Sequence, residues 1–371
     1  MKYKLLLIVL FNTFLSCQTS EFSYLIPNNS IINQYTKPYS LQKINLNKWH
    51  KLESILPSNY KNMKQDYTKD IQAFFASNKN IMLPDYPVYI SSALNISSNT
   101  NVFFSKNSKI IYTGEIKGRH YDIIKIENIE NVNIYNPSIV GNRQAKLQHE
   151  GEWNAGISIQ NSKKVRIYNP MVKDTWGDGI FIGSETAGFS EDVIIEGGWI
   201  DNVRRNGISI TSAKDIFINN ILISNVNGTN PQCGIDMEPS LSEDLIENIN
   251  LNKVYTFNNT LAGIAINMNA LNQKSKDKVK NISINISNHT DNNSSYALLT
   301  SLNAGNTIFD ATGTINISNT TWIKNKNDSY WKSETKQAIK LNFKNIKIDN
   351  PIKNNRFFNT IKNSENFLYK N

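Results

Sequence analysis

Residues 228–240 read GTNPQCGIDMEPS, which sets Asp236 and Glu238 two positions apart in a short apolar run. A strand alternates its side chains, so Ile235 and Met237 would face one way and the two carboxylates the other. Their Cα atoms would lie about 6.5–7 Å apart. That spacing suits an acid/base pair working across a water, or two of the several oxygen ligands that Ca²⁺ takes. The plainer use is a pair of solvent-facing acids bonded to neighbouring Lys or Asn.

Other residues could join them. Asp178 stands in TWGDGIFIG, just before a Gly-Ile pair, where it could act on a ligand or simply cap a turn. Trp176 beside it could offer a flat apolar face, or pack as a corner aromatic. Arg204 and Arg205 precede NGISI, and an outward arginine grips carboxylate or sulfate bidentately. Gln232 opens QCGIDM in a place equivalent to Arg205. His149, in KLQHEGEW, is one of four histidines. It could transfer protons near neutral pH, although a lone loop histidine is more often a surface residue.

Positioning these groups requires regular elements, and the chain repeats. NAGISI (154–159), GDGIFI (177–182), RNGISI (205–210), QCGIDM (232–237) and LAGIAI (261–266) are variants of one unit. Their Gly-Ile pairs begin at 156, 179, 207, 234 and 263, so the spacings are 23, 28, 27 and 29 residues. Each unit is followed by a second β-rich run, such as DVIIEGGWI or DIFINNILI. A helix-free repeat of this length is the pattern of a solenoid whose stacked coils bury a column of Ile and Val. A propeller would need four strands per repeat, and a sandwich would show no such repeat.

Stacking the units gives outward columns. The first holds Ser158, Phe181, Ser209, Asp236 and Ala265; the second holds Gln160, Gly183, Thr211, Glu238 and Asn267. A third, before the glycines, holds Asn154, Gly177, Arg205, Gln232 and Leu261. A slip of one residue would exchange the faces. Upstream, the first part of residues 66–104 reads as a short amphipathic helix with Thr68 as its candidate N-cap and Ile71, Phe74 and Phe75 on one face.

The first residues bear on location. MKYKLLLIVLFNTFLSC has Lys2 and Lys4 and then an apolar stretch too short to span a bilayer. Residues 1–16 are expected to be a signal peptide. FLSC resembles a bacterial lipobox, which makes Cys17 the lipid-bearing residue. Export to the periplasm, outer membrane or cell surface follows, with the membrane reached only through that lipid. Residues 17–45 read as a tethered linker, 46–350 as the solenoid and 351–371 as a C-terminal tail. Cys233 is the one other cysteine, so no disulfide framework is expected.

Across residues 60–350 the chain resembles the right-handed parallel β-helix superfamily of pectin lyases and polygalacturonases. The likeness includes a capping helix, an LP turn and YISSALNISSNTNVFF as the opening coil. It implies an all-β, right-handed parallel β-helix with a short N-terminal capping helix, and an outer groove for extended sugars. The polygalacturonase motifs Asn-x-Asp, Asp-Asp and Gly-His-Gly are not reproduced. WGD at 176–178 keeps only the last Asp, Arg205 and Asn206 stand for Asp-Asp, and Gln232, Cys233 and Gly234 for Gly-His-Gly. CGIDMEP also resembles Tyr-Gly-Phe-Asp-Pro-His-Glu of alginate C5-epimerases, matching at Gly234 and Asp236.

The 40 Lys and Arg against 31 Asp and Glu give a net charge of +9 and favour an anionic partner. Nucleic acid does not fit an exported, tethered solenoid, so an acidic glycan is expected. A uronate is weakest at its C5 proton. Abstraction there requires a base and a neutralised carboxylate, and the carbanion then expels the C4 substituent. The expected activity is therefore a lyase or dehydratase using Asp236, Glu238, Asp178 and Arg205, with Arg204, Trp176, Gln232 and His149 binding substrate. A glycoside hydrolase is the alternative, and a non-catalytic glycan-binding solenoid the third reading.

Overall fold

The computed structural model describes residues 22–40, 48–114, 121–144, 153–272, 280–302, 311–333, 338–362 and 367–370. Cys17 and His149 lie outside the described residues. Every coil gives one short strand to a nine-stranded parallel sheet, which begins at Leu94–Asn95 and ends at Tyr330–Lys332. The other strands form a longer wall. One circuit runs through Ile208–Ile210, Ala213–Asn219 and Leu222–Ser224 before Ile235–Met237 opens the next.

The Gly-Ile units stack as expected. Ile157, Ile180, Ile208, Ile235 and Ile264 are cross-strand partners, as are Ile159, Ile182, Ile210, Met237 and Ile266. All ten are buried in one continuous core. Full burial of such a side chain is worth about 1.5–3 kcal/mol, so the inward set locks the register and sends the intervening residues outward.

The abundance of Asn has a conformational origin. Each coil turns through residues in the left-handed region, including Asn225, Asn258 and Asn293 at φ 58°, 54° and 71°. Asn tolerates that backbone better than residues with bulkier side chains. Its amide also links the coils: Asn258 Nδ2 donates to Asn225 Oδ1 at 2.8 Å, and Asn293 Nδ2 to Asn258 Oδ1 at 2.9 Å.

Three local expectations need correction. The helix is Thr68–Ser77 with Tyr67 at its N-cap position, so Thr68 is not the cap. Asp66, two residues ahead of Thr68, accepts the Thr68 N–H at 2.9 Å, its carboxylate reaching forward to the first turn. The described part of the expected linker, 22–40, lies against the long wall. Tyr24 donates to Asp201 at 2.7 Å, and the Tyr39 ring sits 4.5 Å from Tyr168. The expected C-terminal tail contains a helix, Pro351–Lys362, whose buried Phe357 packs on Trp322, Tyr330 and Phe343. An open solenoid end exposes apolar side chains, and this helix covers them.

Candidate functional site

Register carries Asp236 to the outer face. It pairs across strands with Ser209 on one side and Ala265 on the other, and Ser209 pairs in turn with Phe181. Its neighbours Ile235 and Met237 belong to the interior core. Ala265 belongs to a separate cluster with Cys233, Ala262 and Leu299, which confirms that the column is not interior.

The residue preceding each Gly-Ile pair forms a second stack at the coil corner. Asp178 Oδ1 accepts the Asn206 N–H, and Asn206 Oδ1 accepts the Cys233 N–H, each at 3.0 Å. One coil pair earlier, Asp122 Oδ1 accepts the Ala155 N–H at 2.8 Å. A carboxylate or amide here satisfies a backbone donor that would otherwise be buried, so Asp178 has a structural task.

It has a second set of contacts. Arg205 Nη1 stands 3.3 Å from both Asp178 carboxylate oxygens and donates to Ser209 Oγ at 3.1 Å. Asn206 Nδ2 donates to the same Ser209 oxygen at 3.0 Å and to Asp236 Oδ2 at 3.2 Å. Glu238 Oε1 accepts from Asn267 Nδ2 at 2.7 Å. Groups from four successive coils thus meet on one wall.

Their electrostatics differ. Asp236 is only 3% exposed. Burial, then the neighbouring Glu238, pushes its carboxyl well above the usual carboxylate range, against the pull of Arg205 and the Asn206 hydrogen bond. Burial also raises Asp178, opposed by Arg205 and by the Ser209 and Asn206 hydrogen bonds. The Cys233 thiol is pushed well up by burial, so it is not an activated nucleophile. Glu238 is partly exposed, unlike Asp236 beside it.

Asp236, Glu238, Asp178 and Arg205 are therefore neighbours; Asp236, Glu238 and Arg205 stood in the sequence columns, whereas Asp178 belongs to the corner stack before the glycines. Arg204 turns away and lies over the Trp176 ring, 3.9 Å from guanidinium carbon to centroid. Gln232 folds onto its own turn, accepting from Gly228 N–H and donating to Asn230. Among the described residues no group of three or more His, Cys, Asp and Glu side chains is arranged to hold a metal ion. Asn206 and Ser209, which tie the acids to the arginine, were missed as functional groups. Aligning the residue before each glycine would have exposed Asn206 as the counterpart of Asp178.

The chain matches no protein-family profile. Over 133 residues it is 31% identical to the uncharacterized protein YclG of Bacillus subtilis (strain 168), covering 32% of this chain and 23% of that protein. The match thus spans less than a quarter of that relative. Among solved structures, the chain is similar to PfbA, a surface adhesin of Streptococcus pneumoniae, with a TM-score of 0.53 and 12% identity over 80% of this chain and 82% of that one. It is similar to the polygalacturonase of Erwinia carotovora ssp. carotovora at a TM-score of 0.53 and 13% identity, covering 83% and 93% of the two chains. Likeness to the endo-xylogalacturonan hydrolase of Aspergillus tubingensis has a TM-score of 0.50 and 12% identity over 76% and 80%. Identities this low speak for architecture alone. With its all-parallel coils and these neighbours, the chain is a right-handed parallel β-helix.

Proposed function

We propose that the protein cleaves glycosidic bonds in an acidic polysaccharide or oligosaccharide, with Asp236 as the proton donor. One observation carries this reading: a buried carboxyl that favours its neutral form stands two residues from a more exposed carboxylate on the outer wall. Environments that push two acids apart are how one site holds both an acid and a base. Asp236 would protonate the leaving oxygen, and Glu238, oriented by Asn267, would activate water. Asp178 and Arg205 would hold Asn206 and Ser209 in place beneath the sugar.

Charge balance favours hydrolysis over the elimination expected from sequence. Asp236 is held toward its neutral form, Glu238 stands beside it, and the one guanidinium of the cluster, Arg205, is already shared between Asp178 and Ser209 and so is not surplus positive charge. An oxocarbenium-like transition state gains from such surroundings, whereas an enolate at a uronate needs surplus positive charge. Elimination remains the second reading because Arg205 is a cation within the acid cluster. The polygalacturonase and xylogalacturonan hydrolase among the structural neighbours support glycan cleavage; the adhesin supports a binding role instead.

The deciding experiment incubates the protein with pectin, alginate, ulvan and glycosaminoglycans, reading reducing ends and ultraviolet absorbance together. Hydrolysis yields new reducing ends without an unsaturated product. Absorbance appearing with them would establish elimination, and binding without either would overturn the enzymatic reading.

We also propose that the protein is exported and tethered through Cys17, supported by Lys2, Lys4 and the apolar run before FLSC. Labelled palmitate should enter the wild-type chain in bacteria and not Cys17→Ala; equal labelling of both would refute the anchor.

A further inference from the structure

The positive charge of the chain is concentrated at one end. Residues 321–371 hold eleven Lys and Arg against four Asp and Glu, a net +7 of the chain's +9. Lys2 and Lys4 account for the remainder, so residues 5–320, which carry the acid cluster, are neutral in sum. The basic stretch forms the last coil and the helix Pro351–Lys362 that caps it. Lys324, Lys340, Lys344, Lys347, Arg356 and Lys362 are exposed there. Of the described acids at this end, Asp328 lies 3.0 Å from Arg356, and Asp349 accepts the Lys324 N–H at 2.9 Å.

The cap helix turns its buried Phe357 and Ile361 inward. By helical spacing the opposite face carries Ile352, Arg356, Asn359 and Lys362. Ile352 is 65% exposed, and Leu368 in the closing strand Phe367–Lys370 is 56% exposed. Apolar side chains standing among cations suit the boundary between anionic headgroups and acyl chains. A soluble acidic polymer would use the cations and leave the apolar pair in water.

The N-terminal segment leads to the same end. Tyr39 is bonded to Asn136, Leu25 to Asn225 and Ser23 to Asn258, so the chain steps toward the basic end as residue numbers fall. Asn293 and Lys324 continue the corner of Asn225 and Asn258 in the next two coils. Lys324 is thus two coil spacings from Asn258, about 10 Å. Cys17 is six residues from Ser23, a reach of at most about 20–22 Å. Tyr24, Leu25 and Ile26 add exposed apolar surface to this stretch.

We propose that the basic end of the solenoid, with Ile352 and Leu368 at its tip, docks on an anionic lipid membrane, leaving the outer face of the nine-stranded sheet open to a glycan. A lipid on Cys17 would hold it there, and in that part the inference rests on the proposed anchor; the surface itself does not.

Flotation of the full chain carrying Cys17→Ala separates the two, because that variant has no site for the lipid. Palmitate labelling and flotation can therefore fail independently. Vesicles of phosphatidylcholine alone are compared with vesicles holding an equal part of phosphatidylglycerol. Binding is expected to the anionic vesicles, with loss at about 1 M salt. Adding Lys344→Gln, Lys347→Gln and Lys362→Gln should weaken it on the order of 100-fold, and Ile352→Ser about tenfold. Removing the same charge at the other end, through Lys61→Gln, Lys69→Gln and Lys106→Gln, should leave binding unchanged, which also accounts for any pull from residues 1–16. Equal binding to both kinds of vesicle, binding to neither, or equal losses in the two triple variants would overturn the proposal. So would retention on immobilised polygalacturonate that the first triple variant abolishes while anionic vesicles go unbound, since the basic end would then serve the glycan.

Discussion

Asp236→Asn is expected to lower turnover by roughly 10²–10⁴-fold, the usual worth of a positioned general acid, while the fold stays intact. The variant keeps the shape of the side chain, and its amide oxygen can still accept from Asn206. What it loses is the transferable proton. The raised carboxyl also fixes the direction of pH effects. Activity that depends on the neutral acid persists at low pH and falls as pH rises through the raised value. Stability moves the same way: the contribution of this group is fully present below the ordinary carboxylate range and is lost as pH rises toward the folded-state value. The Asn variant removes that loss, so it should be inactive and at least as stable as wild type at neutral pH. Steady-state kinetics on the glycan identified by screening, paired with thermal melts, check both halves. An inactive but unfolded variant would not support the assignment, and an active one would refute it.

The second large effect lies away from this site, at a coil corner. Thr256 Oγ1 donates to Asp291 Oδ1 at 2.6 Å and sits 2.9 Å from His289 Nε2. Ser294 and Asn325 complete the cage around the carboxyl. Burial raises Asp291 to about 7 and pushes His289 down to about 3. The signs oppose. The contribution of Asp291 is full below the unfolded carboxylate value, about 3.9, and is lost as pH rises toward 7. His289, buried neutral, loses stability as pH falls from about 6.5 toward 3. Between these limits one group's loss offsets the other's gain, and the pair leaves stability nearly flat with pH. Removing one partner should unmask the other. His289→Gln should become less stable as pH rises from about 4 to about 7, by on the order of 4 kcal/mol at 1.36 kcal/mol per unit. Asp291→Asn should instead weaken as pH falls from about 6.5. Urea denaturation across this range reads both slopes, and parallel curves for the two variants would contradict the assignment.

The fold was legible because inward Ile residues recur at one place in every coil and fix the face of their neighbours. Ser209, Asp236 and Ala265 fall in one column on that ground alone. Contacts made by long side chains at the corners were not legible in the same way. Arg205 and Arg204 are adjacent in sequence, yet one reaches back to Asp178 and the other lies on Trp176. Nothing in the repeat separates them, because a guanidinium travels too far for strand alternation to direct it. His289 and Asp291 were invisible as a pair because their partner Thr256 belongs to the preceding coil. The terminal segments were misjudged because their polar composition hid single aromatic anchors, Tyr24, Tyr39 and Phe357, that dock on the coils.

Glycan cleavage by an outward acid is tested most directly by a crystal structure of Asp236→Asn with an uncleaved oligosaccharide that the wild type degrades. The scissile oxygen is expected within hydrogen-bond reach of the side chain at position 236, about 2.6–3.2 Å, with the sugar along the outer face of the nine-stranded sheet. A sugar bound on the long wall, or a scissile bond out of reach of that side chain, would contradict it.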